Sequence, residues 1–174
     1  MTLIDSEGAQ RNLSALVDFG KFINSSLDLK SNLNNLLLTC FGKFHTTKGI
    51  IALFENNELK VKAYKGISGE IVKQFPLLKR TDVECNDPRL GSFKQEHNLN
   101  FCQQIKSSQG LLGIIFLGEK LSRKEYSQDD IEFINLIINV AATAIENSII
   151  FEKLKTSNRN LDSKVSMLSS LFEL

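Results

Sequence analysis

The sequence predicts an α+β sandwich: a mainly antiparallel sheet with the first and last helices packed together on one face and an irregular segment covering the other. Three observations carry this expectation. Two helical patterns open the chain, two pairs of strand-like runs are each joined by a short turn, and one very long helical pattern closes it. Strands linked by short turns pair antiparallel, and a sheet so made buries its faces against whatever helices and loops flank it in sequence.

After a polar lead, residues 1–12, Leu13, Leu16, Gly20, Ile23 and Leu27 step by three and four, flanked by Val17, Phe19 and Phe22. That is a helix with a seam wide enough for two neighbours. Asp28 resets the chain, and Leu33, Leu37, Cys40, Phe41 and Phe44 form the face of a second helix ending near His45. Lys48 to Glu55 and Glu58 to Lys65 then read as strands joined by Asn56-Asn57, a pair that tolerates positive φ and suits a two-residue hairpin. The first strand is apolar on both faces and central; the second alternates and lies nearer an edge.

From Gly66 to Asn98 the pattern breaks up, apart from a short helix that Asp87 caps and Pro88 opens, running to about Glu96. Asn98 to Lys106 and Gly110 to Lys120 are two more strands, the latter at the sheet's centre. Ser127 and Asp130 form a capping box that starts a helix at about Gln128, and neither proline nor glycine stops it before Leu174.

Composition narrows the function. The 174 residues are 42% hydrophobic, and 21 Lys and Arg nearly balance 20 Asp and Glu, for a net charge of +1. Scattered, balanced charge gives no electrostatic footprint for nucleic acid. The opening MTLIDSEGAQRN lacks the basic start and apolar stretch of a signal peptide, and no run reaches the roughly 18 apolar residues of a membrane span. The expectation is a soluble, cytoplasmic chain with no membrane partner. Cys40, Cys85 and Cys102 lack CxxC spacing and read as reduced thiols, with Cys85 and Cys102 left able to oxidise together if the fold brings them near, and neither they nor His45 and His97 form a metal set. No Ser-His-Asp set, phosphate loop or HExxH is present, so no catalytic residues are assigned.

Several stretches resemble the GAF family of sensory domains. INSSLDLKSNLNNLLLTCFGKF looks like its two opening helices with the SxDL turn between them. GIIALFENNELKVKAYKGI is similar to its first strand pair, and GLLGIIFLGEKLSRKEYSQDDIEFINLIINVAATAIENSIIFEKLK carries its central strand, Y-S/T-x-x-D helix start and AxxAIEN stretch. The resemblance implies a GAF/PAS-like domain over residues 13–152, with residues 153–174 as a signalling helix leading to a further domain. Members bind cyclic nucleotides, haem, bilins or metabolites, or bind nothing and only dimerise. Here the NKFDE motif is absent, Cys85 is followed by Asn86 rather than the histidine of bilin attachment, and His97 reads as a solvated lid residue rather than a haem ligand. The cofactor is left unknown. The branch that reduces free methionine sulfoxide uses a GVCG-type turn and tryptophans, whereas this chain has Leu112-Gly113-Ile114 and no Trp.

A pocket, by the same resemblance, lies between the sheet and Gly66 to Asn98. Its candidate liners are Phe54, Tyr64, Phe75, Phe93, Phe101 and Phe116, with the strand parity left open, and Asp87 and Arg89 are the polar residues placed to orient a ligand.

The tail reads as a parallel coiled coil. Phe151, Leu154, Asn158, Leu161, Val165, Leu168 and Phe172 alternate steps of three and four, with Asn158 at an a position, where asparagine selects two strands in register. Together with Leu13, Leu16, Gly20, Ile23 and Leu27 they form the expected interface of a homodimer. Leu168 to Leu174 also repeats Leu13 to Phe19 at three identical positions, which points to a second helix-headed domain beyond. The reading is a regulatory small-molecule-sensing and dimerisation module. The alternatives are a degenerate domain that only dimerises and spaces its neighbours, and an enzyme like the free methionine sulfoxide reductases.

Overall fold

The computed structural model describes residues 3–80 and 83–172. Met1 and Thr2 of the lead, Thr81 and Asp82 of the covering segment, and Glu173 and Leu174 of the repeat lie outside the described residues. Helices α1 (Leu3–Ile23) and α2 (Leu29–Phe44) are followed by strands β1 (Gly49–Glu55) and β2 (Glu58–Lys65). Short helices α3 (Gly69–Lys73) and α4 (Pro88–Glu96) precede β3 (Phe101–Ser107), β4 (Gly110–Leu117) and the long α5 (Gln128–Phe172).

Local chemistry sets the boundaries. Asp28 accepts a hydrogen bond from the Ser31 N–H at 2.6 Å and opens α2, and His45 closes it in the left-handed region. Asn56 and Asn57 have φ of 51° and 69°, the geometry of the tight hairpin turn expected of them. Ser127 and Asp130 cap α5 reciprocally: the Asp130 carboxylate accepts from the Ser127 N–H at 2.7 Å, and the Ser127 hydroxyl oxygen accepts from the Asp130 N–H at 3.2 Å.

The four strands lie in the order β2-β1-β4-β3, all neighbours antiparallel. Apolar β1 and β4 are central, as their two-sided apolarity requires. They approach so closely at Gly113 that a Cβ there would lie 2.1 Å from the Ala52 carbonyl oxygen. Register assigns the faces. Ile50 pairs with Tyr64 and Phe116, and Phe116 with Cys102, so these four share one face. Ile51, Leu53, Ile105, Ile115 and Leu117 point the other way, into a core shared with Phe19 and Ile23 of α1, Leu33, Leu36, Leu37, Cys40 and Phe44 of α2, and Ile134, Ile137, Ile138, Ala141 and Ile145 of α5.

Against the expectation that no run would suit a membrane span, α5 is long and apolar enough to cross one by length and composition, and half of its most apolar window is buried inside the protein. A buried polar contact joins α2 to α5 in this layer: Asn32 donates to the Ser148 hydroxyl at 3.0 Å.

Several sequence expectations are corrected here. Residues 3–12 are already helical, so the lead is not separate from α1. α1 stops at Ile23, where Asn24 and Ser25 side chains take the Gly20 and Phe22 carbonyls, so Leu27 sits in the connection and not on a helical seam. Ile23 is fully buried in the chain's own core and is not free for a partner. α3 falls within a stretch that read as irregular; Ser68 caps it. Cys85 and Cys102 are not free thiols: they form a disulfide, leaving Cys40 as the free one, buried, with its thiol pushed up to about 12 by burial.

Candidate functional site

The segment between β2 and β3 lies over the sheet face that carries Ile50, Ala52, Ile114 and Phe116. It is tied down at both edges. At β2, the Leu59 N–H donates to the Leu78 carbonyl at 2.9 Å and the Arg80 N–H to the Asn57 carbonyl at 3.1 Å. At β3, the Gln104 side chain donates to the Val83 carbonyl at 2.9 Å, and the Cys85–Cys102 disulfide adds a covalent tie. Between these anchors Leu78, Val83, Leu90, Phe93 and Leu99 bury themselves against Ile50, Ala52, Leu59, Ile114 and Phe116, forming a second core.

Of the predicted pocket residues, the structure brings Phe75, Phe93 and Phe116 together: Phe75 is 5.3 Å from the Phe93 ring and 6.0 Å from Phe116, both edge-on. Phe54 lies at the hairpin end of the same face, with the Arg80 guanidinium 5.0 Å above its ring. Tyr64 is on this face too, but 43% exposed. Phe101 is on the other face. One residue from Cys102 in an alternating strand, it points to the helices and stacks 5.1 Å from Tyr126.

Asp87 and Arg89 engage each other. Asp87 caps α4 by accepting from the Arg89 N–H at 2.8 Å, and the Arg89 guanidinium bridges its carboxylate at 2.9 Å. The Arg89 side chain holds the Asp87 carboxyl below the usual carboxylate range. Sequence reasoning missed His97 as a packed residue. Its ring stacks 4.6 Å from Phe93, and its Nε2 is buried without a protein partner. The spacing of four from Phe93 is the signal that could have found it.

Surface clefts flank this body, and two of them touch the predicted pocket residues. One of about 500 Å³, at the end of α4 and the start of α5, is lined among others by Phe101, Tyr126, Lys94, Lys120, Arg123 and Lys124, with Glu119 and Glu125. The other, about 680 Å³, lies between the hairpin tip and the point where α5 leaves the body, lined by Phe54, Glu55, Asn57, Arg80, Glu152 and Lys153 among others. Lys62 and then Lys60 hold the Glu55 carboxyl of that second cleft below its ordinary value. Among the described residues, no three His, Cys, Asp or Glu side chains gather closely enough to hold a metal ion.

Beyond the body, every residue of α5 from Phe151 to Phe172 is exposed. Leu154, Leu161, Val165 and Leu168 are 58%, 57%, 61% and 54% accessible, and Phe172 more so. On α1, Leu13 and Val17 are exposed, Leu16 packs against the core, and Gly20 faces α5, where a Cβ would meet Val140 at 3.5 Å.

No protein-family model matches the sequence, and no curated protein does. Solved structures match the fold. The GAF domain of an Acinetobacter phosphoenolpyruvate-protein phosphotransferase superposes with a TM-score of 0.60 at 15% identity, covering 82% of this chain and 98% of that one. The GAF domain of A. aeolicus nlh2, in an inactive state, gives 0.59 at 14% identity, covering 79% and 97%. A segment of a methyl-accepting chemotaxis protein gives 0.54 at 16% identity, covering 76% and 98%. With its antiparallel four-stranded sheet between three helices and a two-helix lid, the chain has the fold of a GAF domain.

Proposed function

We propose that the chain is a regulatory, small-molecule-sensing and dimerisation module of a cytoplasmic signal-transduction protein, in which α5 passes a change of state to an output domain. The carrying observation is the apolar seam of α5 beyond the body. Leu154, Leu161, Val165 and Leu168 stand in water at heptad spacing, each forgoing about 1.5–3 kcal/mol of burial. A second copy fits this seam by its own chemistry: a heptad pattern is self-complementary about a two-fold axis, and Asn158 at an a position matches another asparagine in a parallel pair. Similar folds in a chemotaxis protein and a phosphotransferase support the signalling context. The cleft beside Phe54 and Arg80 touches both the hairpin and the root of α5, where a bound small molecule would act directly on the outgoing helix.

Sedimentation equilibrium tests the dimer. The chain should sediment as a dimer at micromolar concentration, and Leu161→Asp combined with Val165→Asp should make it monomeric. A monomeric wild type, or a dimer indifferent to those changes, overturns the reading.

The packed second core favours a second reading, a module that dimerises and spaces its neighbours without a ligand. Ile50, Ala52, Ile114 and Phe116 are fully buried under the lid. Hydrogen exchange separates the two: a sensor gains protection in the hairpin and residues 66–98 with its ligand, and a spacer gains none from any metabolite screened.

A further inference from the structure

The lid is anchored to β2 by main-chain hydrogen bonds and to β3 by one amide–carbonyl bond and the Cys85–Cys102 disulfide. Of these ties, the disulfide alone can be made and broken by chemistry. Its two residues are 17 apart in sequence and 5.7 Å apart at Cα, within the span a disulfide bridges. Both are half-buried at the fringe of the second core, within reach of a small reagent, whereas Cys40 is enclosed.

We infer that Cys85 and Cys102 are a reversible redox site: oxidised, they latch the lid onto β3, and reduced, they release it. The exchange is a two-electron step. A dithiol reductant attacks one sulfur, the S–S bond breaks, two protons and two electrons pass to Cys85 and Cys102, and the reductant leaves as its own disulfide. Oxidised glutathione reverses it: its S–S bond breaks, two electrons and two protons leave Cys85 and Cys102 as their S–S bond forms, and it departs as two glutathione thiols.

The position of Cys102 gives the latch a route to the output helix. β3 is an edge strand with the lid on one face and α5 on the other. Cys102 faces the lid, Phe101 and Ile105 face the helices, and the Ser107 hydroxyl at the strand's end donates to Glu146 of α5 at 2.7 Å. Release of Cys85 removes the covalent restraint on residues 83–97 and leaves the Gln104–Val83 and Lys94–Cys85 carbonyl bonds to hold them. This deepens the sensory reading and rests on it only for the consequence at α5; the latch itself stands on the lid geometry.

The test uses the full chain, oxidised, reduced with dithiothreitol, and reoxidised with oxidised glutathione. Thiol titration without denaturant should count two thiols after reduction and none before, with Cys40 appearing only on unfolding. Hydrogen exchange in residues 83–97 should quicken about tenfold or more on reduction and recover on reoxidation. Cys85→Ser and Cys102→Ser should each exchange like the reduced protein with or without reductant. Two thiols free before treatment and after oxidised glutathione, or reduction with unchanged exchange in the lid, overturns the inference. A lid that loosens while exchange in β3 and α5 stays unchanged supports the latch and counts against a sensory role.

Discussion

On one face of the sheet, helices of 21, 16 and 45 residues bury Ile51, Leu53, Ile105, Ile115 and Leu117. On the other, helices of five and nine residues and the chain between them bury Ile50, Ala52, Ile114 and Phe116. Both faces are dry, but they are closed by different means. The helical layer is continuous, so its side chains interlock along whole turns and cannot shift singly. The lid is a strap pinned at two edges, and between the pins its short pieces can settle. A sheet built this way should have a stiffer side, the one that carries α5, and a more adjustable side under the lid.

The largest expected effect is at the position both faces share. Gly113 lies in β4, where a Cβ would meet the Ala52 carbonyl oxygen at 2.1 Å and the Leu53 Cα at 2.8 Å. Neither atom is the end of a flexible side chain, so Gly113→Ala must part β1 from β4 and disturb both cores at once. The expected cost is about 4 kcal/mol or more, seen as loss of the cooperative thermal transition. A variant melting within a few degrees of the wild type would show that the central strands are less tightly coupled than their register implies.

The comparison sharpens with a matched pair of truncations. Ile137 of α5 and Leu90 of α4 are both fully buried, the first under the helices and the second under the lid. Either change to Ala removes comparable apolar volume, within a range of about 2–5 kcal/mol, and the position in that range depends on how far the surroundings collapse into the void. Ile137→Ala should fall near the upper end, because continuous helices hold the cavity open. Leu90→Ala should fall near the lower end, since α4 can sink toward the sheet. Chemical denaturation of both variants measures this; an equal or larger loss at Leu90 would mean the lid is as rigid as the helical layer.

A smaller effect probes the polar contact inside the rigid layer. Asn32 donates to the Ser26 carbonyl at 2.9 Å and to the Ser148 hydroxyl at 3.0 Å, while its own Oδ1 has no partner. A double-mutant cycle of Asn32→Ala and Ser148→Ala should give a coupling of about 1 kcal/mol, the net worth of one buried neutral hydrogen bond. Zero coupling would mean that α2 and α5 are held by apolar packing alone.

These two layers were also unequally legible in the sequence. Helical periodicity located α2 and α5, the asparagine pair fixed the first hairpin, and Asp87-Pro88 gave the start of α4, because each signal is local and the residue type is chosen for its backbone. Which strands are central followed from which runs are apolar on both faces. What periodicity could not supply was parity and partnership. Phe101 reads like Phe93 and Phe116 until register turns it to the helices, and Ile23 reads like Leu13 until tertiary packing assigns one inward and the other outward. The disulfide stayed conditional for the same reason: Cys85 and Cys102 have no motif spacing, and only the path of the lid across the sheet brings them together. Asp87 and Arg89 showed the converse, two polar residues whose nearest chemistry is each other.

The smallest expected effect separates the faces by pH. Asp130 sits where α5 begins; burial works against its carboxylate, but the Lys120 ammonium and the Ser127 N–H and hydroxyl outweigh burial and hold its pKa below the ordinary value. A carboxyl depressed in the folded state stabilises fully above its unfolded pKa of about 3.9, and the contribution disappears as pH falls through the folded value. The pair is partly exposed, so the contribution should be at most about 1 kcal/mol. Asp130→Asn should therefore melt slightly below the wild type at neutral pH, and the two should converge as pH falls below the carboxylate range. The ties found at the lid's β3 edge, a disulfide and an amide–carbonyl bond, do not titrate there. Asp87 caps α4 and is held below its ordinary range too, so acid should speed hydrogen exchange in the first turns of both α5 and α4, while β3, fastened by ties that do not titrate, holds. Unchanged exchange in the first turns of α5, or a melting difference that persists unchanged into strong acid, would show that the capping box is not what fastens α5 to the β4 exit.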